Sequence, residues 1–109
     1  MKKQVTILGF AGSLRKNSYN KALLQAALEL LPKDANLEIF DLEGISPFNQ
    51  DLIPVMPAKV KEFKRKIKTA DAILIATPEH NYSVPSVLKN AIDWVYPEWN
   101  NKPVAFVSY

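Results

Sequence analysis

Two short segments concentrate the side chains capable of chemistry. The first runs Gly12-Ser13-Leu14-Arg15-Lys16-Asn17-Ser18-Tyr19-Asn20 and gathers hydroxyls, amides and a guanidinium. A phosphate needs several donors converging on one point, and a helix N-terminus adds free N–H groups and a favourable dipole. Ser13, Ser18 and Asn20 can donate from their side chains, Arg15 can neutralise charge, and Gly12 permits a tight exit from a preceding strand. The same residue types also fit a plain helix start capped by Asn17 or Ser18, with Arg15 in solvent. The second segment, Thr77-Pro78-Glu79-His80-Asn81-Tyr82-Ser83-Val84-Pro85, is polar, aromatic and stiffened by proline. It suits a planar heterocycle that needs both stacking and hydrogen bonds along its edge, or else an ordinary strand-to-helix turn capped by Ser83.

The elements around these segments decide whether they can meet. Four apolar runs rich in β-branched residues, Val5 to Phe10, Leu37 to Leu42, Ala72 to Thr77 and Val104 to Ser108, read as strands. The first and third show little polar alternation, as expected of strands covered on both faces in a parallel sheet. Between them, helices are expected over Asn20 to Leu31, Ala58 to Thr69 and Val84 to Tyr96. In the first, Ala22, Leu23, Ala26, Ala27, Leu30 and Leu31 form an apolar stripe that ends at Pro32; in the third, Val87, Leu88, Ala91, Ile92 and Val95 face inward. Pro85 fits a first helical turn, where a missing N–H costs nothing. The order β-α-β-α-β-α-β implies right-handed crossovers and a doubly wound α/β domain. Glu43 to Pro57, with Pro47, Pro54 and Pro57, reads as an ordered surface loop. In such sheets ligands bind beyond the carboxyl ends of the strands, where strand order reverses. The loops after the first and third strands are therefore the ones that matter.

A chain of 109 residues has room for one domain, and 48% apolar with 23% charged residues is the balance of a folded globular protein. Cysteine is absent, which excludes disulfides, thiolate nucleophiles and cysteine-ligated metals; a cytoplasmic setting follows as the default. The apolar run from Val5 to Ala11 is too short to span a bilayer. Of the net charge of +3, much sits in Lys59, Lys61, Lys64, Arg65, Lys66 and Lys68. Val60, Phe63, Ile67 and Ala70 recur at helical spacing in the same stretch, so these cations read as the solvated side of an amphipathic helix rather than a nucleic-acid patch. The first loop lacks the second glycine and the Lys-Ser/Thr pair of a P-loop. Gly9 and Gly12 open a dinucleotide fingerprint that lacks its third glycine, and Asp41 stands where a ribose-binding carboxylate would.

Together the two loops resemble those of the NAD(P)H-dependent FMN reductase family. The resemblance rests on Gly12-Ser13-x-Arg15-x-x-Ser18-x-Asn20, on Pro78-Glu79-x-Asn81-x-Ser83-x-Pro85, and on Leu88-Lys89-Asn90-Ala91-Ile92-Asp93-Trp94, and covers the whole chain in register. It implies a flavodoxin-like sheet of order 2-1-3-4 and bound FMN reduced by NADPH or NADH. Electrons would pass to a small acceptor such as a free flavin, a quinone, an azo dye or a metal oxyanion. By position, Ser13, Arg15, Ser18 and Asn20 would hold the FMN phosphate; Pro78, Glu79, His80, Asn81 and Ser83 would border the isoalloxazine and ribityl chain. No acid or base is expected to be indispensable, because the flavin performs the hydride chemistry.

The sequence departs from the family at two places. Relatives often carry tyrosine where His80 stands, and histidine stacks over a smaller area. As the single histidine, it makes a poor metal site. Relatives also continue past a strand like Val104 to Ser108 into a Gly-Gly loop that touches the flavin, then a helix, a strand and a helix. This chain ends at Tyr109. The expectation is one incomplete domain over 1–109, whose exposed fourth strand favours a homo-oligomer, dimer or tetramer, with Trp94, Tyr96 and Trp99 as contact or core. The alternative activity is a non-catalytic flavin-binding or assembly module; no nucleic-acid or membrane partner is expected.

Overall fold

The computed structural model describes residues 4–12, 19–77, 86–95, 98 and 101–107, with the side chains of residues 19, 20, 86 and 87 apart. Four strands, β1 (Val5–Ala11), β2 (Ala35–Phe40), β3 (Ala72–Ala76) and β4 (Val104–Val107), form one parallel sheet in the order β2-β1-β3-β4. The helices α1 (Tyr19–Glu29), α2 (Ala58–Thr69) and α3 (Ser86–Val95) alternate with them. Strand order reverses between β1 and β3, which places α1 on one face of the sheet and α2 and α3 on the other.

The pleat sorts the core into two layers. Leu8 and Phe10 of β1, Phe40 of β2, and Ile73 and Ile75 of β3 pack against α2 and α3 in the larger cluster. At its centre Phe63 meets Phe10 edge-on with ring centroids 5.3 Å apart and stacks on Phe40 at 5.0 Å. The opposite face carries α1 over a small cluster of Ala11, Leu24 and Ala76.

On α2 the expected face is the observed one: Val60, Phe63, Ile67 and Ala70 are all buried. Lys61, Arg65 and Lys68 are exposed. Lys64 meets Glu98 at 2.6 Å and donates to the Trp94 carbonyl at 2.8 Å, while Lys66 reaches Glu38 at 2.6 Å.

The expectations fail in three places. β2 lies two residues earlier than the apolar run, because Val5 pairs with Ala35 and Phe10 with Phe40, and Asp41 Oδ1 then accepts the Glu43 N–H at 2.9 Å to turn the chain. α1 ends at Glu29 rather than Leu31: the Leu30 N–H bonds back only to Ala27, and the residue before Pro32 is disfavoured in a helix. Its buried side is also rotated. Leu24 is the buried residue, whereas Ala22 and Ala26 are exposed and Leu30 is 83% exposed. Leu24 comes down over Gly9, where a Cβ would lie 3.3 Å from Leu24 Cδ2. The stretch from Glu43 to Pro57 also holds a short 3₁₀ helix, Gln50–Val55, capped by the Asn49 side chain accepting from the Asp51 N–H at 2.9 Å.

Candidate functional site

The carboxyl ends of β1, β3 and β4 are tied together where strand order reverses. The Gly12 N–H donates to the Ala76 carbonyl at 2.8 Å, and the Thr77 N–H donates to the Val107 carbonyl at 3.0 Å. Gly12 is required there by proximity rather than by backbone angle. A Cβ on it would stand 2.9 Å from Thr77 Oγ1 and 3.3 Å from Leu88 Cδ2, so only glycine lets β1 leave the sheet so close to β3 and the first turn of α3. Both loops singled out above open from this join, one between Gly12 and α1, the other between Thr77 and α3.

α3 is anchored from the far side by the segment that follows β2. Asn90 Oδ1 accepts the Phe48 N–H at 2.6 Å, and Asn90 Nδ2 donates to the Ser46 carbonyl at 3.0 Å. Trp94 Nε1 donates to the same carbonyl at 2.6 Å, and the Trp94 ring meets Phe48 edge-on with centroids 5.0 Å apart. Trp94 is 2% exposed, which makes it intramolecular core rather than a contact between chains. These roles of Asn90 and Trp94 did not emerge from the sequence. The available signal was an amide and an indole four residues apart on the inward side of an amphipathic helix, where each polar group needs a partner.

Of the residues assigned to the site, Ser13, Arg15, Ser18, Pro78, Glu79, His80, Asn81 and Ser83 lie outside the described residues, as do Tyr96 and Trp99; Asn20 is described as backbone in α1. The structure thus fixes the ends from which both loops depart. Asp41, the residue behind the dinucleotide alternative, is exposed and accepts the N–H of Glu43 in a local turn. Among the described residues no cluster of His, Cys, Asp or Glu could hold a metal, and no helix is long and apolar enough to cross a membrane.

Over residues 5–109 the sequence matches the family described as NADPH-dependent FMN reductase. The chain belongs to that family. It is 45% identical over 112 residues to an NAD(P)H-dependent FMN reductase of Pseudomonas aeruginosa, covering 98% of this chain and 60% of the relative. A 2-hydroxy-1,4-benzoquinone reductase of a Burkholderia species is 41% identical over 88% of this chain and 55% of its own length. Among solved structures, FerB, a flavoenzyme NAD(P)H:(acceptor) oxidoreductase from Paracoccus denitrificans, superposes with a TM-score of 0.87 at 34% identity, covering 95% of this chain and 60% of that one. The chain therefore spans rather more than half the length of these relatives. Its sheet and helices are those of the flavodoxin-like FMN reductases. The FMN that the family name implies fits the chemistry of this end of the sheet: α1 and α3 follow the two loops that leave the join, and the N-terminus of a helix favours an anion such as the FMN phosphate.

Proposed function

We propose that this chain is the flavin-binding part of an NAD(P)H-dependent reductase that passes electrons from NADPH or NADH through FMN to a small acceptor, a flavin or a quinone foremost. The observation that supports it most is the Gly12 join at the switch point, flanked by both family motifs within one continuous family match. The relatives' names, an FMN reductase and a benzoquinone reductase, support the choice of acceptors.

In this reading Ser13, Ser18 and Asn20 donate hydrogen bonds to the FMN phosphate at the start of α1, and Arg15 balances its charge. Pro78, Glu79, His80, Asn81 and Ser83 border the isoalloxazine and ribityl chain, with α3 held in place through Asn90 and Trp94. When bound, the flavin supplies hydride acceptance from the nicotinamide and electron delivery to the acceptor. The protein aligns the nicotinamide against the ring and keeps the join rigid, so no side chain is assigned as acid or base.

Residues 1–109 act as one domain in this account, working in the cytoplasm as a homo-oligomer, dimer or tetramer. The test is NADPH oxidation followed at 340 nm with FMN and a benzoquinone. Oxidation that requires FMN and scales with the chain supports the reading; FMN binding without turnover favours the non-catalytic flavin-binding module.

A further inference from the structure

Periodicity alone reads the cations of α2 as one solvated side, but the structure divides them into two groups. Lys64 pairs with Glu98 and Lys66 with Glu38, while Lys59 donates to the Glu43 carbonyl and lies over the Phe40 ring. Lys61, Arg65 and Lys68 are exposed and form no ion pair among the described residues. Their i, i+4, i+7 spacing confines them to an arc of about 60° and a length of about 10 Å along the helix. Val60, Phe63 and Ile67 fill the opposite side, against the sheet. The three unpaired cations therefore crown a convex ridge. The recess beside α2, lined by Glu38, Lys59, Glu62 and Lys66, belongs to the paired cations on the β2 side. A ridge meets a broad anionic surface, whereas a small anion needs a cleft.

We infer that this ridge docks the protein on the surface of an anionic bilayer, where a lipid-soluble quinone would reach it. The benefit of that position rests on the quinone reading above; the contact itself does not. It is a peripheral contact, where the sequence alone points to no membrane partner. Charge complementarity selects an extended anion, and the neighbouring side chains select lipid over nucleic acid. The outward strip holds Ala58, Lys61, Glu62, Arg65, Lys68 and Thr69, with no aromatic ring on which a base could stack. Immediately before α2 in the chain, Ile53 is 49% and Val55 70% exposed, and the headgroup boundary of a bilayer accepts such side chains. Each cation at an anionic surface raises the partition about fivefold, so three raise it roughly a hundredfold over a neutral surface.

The test is co-sedimentation of the purified chain with vesicles of phosphatidylcholine alone and of three parts phosphatidylcholine to one of phosphatidylserine. Expected is a partition coefficient roughly a hundredfold higher on the anionic vesicles, lost in about 1 M salt. Arg65→Glu, which exchanges an attraction for a repulsion, should lower it about twentyfold, with circular dichroism reporting an unchanged fold. Lys33→Glu makes the same change of net charge at an exposed residue off α2 and should lower it less than about twofold. Equal binding to the two kinds of vesicle, or equal losses in Arg65→Glu and Lys33→Glu, overturns the inference. Tighter retention by single-stranded DNA than by the anionic vesicles overturns it as well. An FMN titration of the same preparations keeps the two readings apart: vesicle binding without FMN binding overturns the flavin reading alone.

Discussion

Replacing Gly12 by alanine drives a methyl group into the join that the site is built on. The new Cβ would stand 2.9 Å from Thr77 Oγ1, 3.2 Å from Thr77 Cβ and 3.3 Å from Leu88 Cδ2. Thr77 is β-branched and stiff about χ1, so its Oγ1 and Cβ cannot yield without moving backbone, and Leu88 must shift within a fully buried environment. Overpacking of this kind costs about 1–3 kcal/mol, and the lower unfolded-state entropy of alanine offsets about 0.4–1 kcal/mol of it. The net loss reaches roughly 2.6 kcal/mol, which at about 4–8 °C per kcal/mol lowers the melting midpoint by up to about 10–20 °C. FMN affinity should fall as well, because the phosphate loop leaves the sheet at this residue. Gly9→Ala is the matched control: its Cβ would meet Leu37 Cδ1 at 3.0 Å and Leu24 Cδ2 at 3.3 Å, the far ends of two leucine side chains that can rotate away. Urea and thermal denaturation followed by circular dichroism, with an FMN titration of each variant, read both effects. The reasoning is refuted if Gly12→Ala equals the wild type in stability and FMN affinity, or if Gly9→Ala is the more damaging of the two for FMN.

Further consequences concern the core, the anchor of α3 and the phosphate loop. Phe63→Ala removes a fully buried ring that packs on Phe10 and Phe40 and should cost about 3–5 kcal/mol in urea denaturation. Asn90→Ala deprives the Phe48 N–H of its partner while Trp94 still holds the Ser46 carbonyl; a loss of about 1–2 kcal/mol is expected, with faster amide exchange at Phe48. Lys66→Ala breaks an exposed ion pair with Glu38 and should change stability by less than about 1 kcal/mol. Arg15→Ala should raise the Kd for FMN about ten- to hundredfold, the worth of one charge-assisted hydrogen bond, with the melting midpoint of the flavin-free chain little changed.

The parallel α/β class was legible from the alternation of strands and helices and from the scarce polar alternation of the two central strands, whereas the order 2-1-3-4 came from the resemblance to the flavodoxin-like family. α2 was legible for a similar reason: its cations and its apolar residues fall on different sides, so periodicity alone selects the buried face. α1 was not, because Leu23, Leu24, Ala26, Ala27, Leu28 and Leu30 surround the helix with apolar side chains, so periodicity alone does not select its buried face. The start of β2 was missed because Ala35 and Asn36 carry no strand signature and join the sheet only by pairing with Val5 and Thr6. At the site, the position of both loops followed from topology. The clamp from Asn90 and Trp94 to Ser46 did not, since it joins residues more than forty positions apart and depends on where the segment after β2 comes to rest.

The central claim is that the join between β1 and β3 presents a flavin site, and titration of the purified chain with FMN by isothermal calorimetry tests it most directly. The account predicts saturable binding of one FMN per chain, weakened by Arg15→Ala and by Gly12→Ala and little altered by Gly9→Ala. A folded chain that takes up no FMN at millimolar flavin, or that binds it with an affinity indifferent to Arg15 and Gly12, would contradict it.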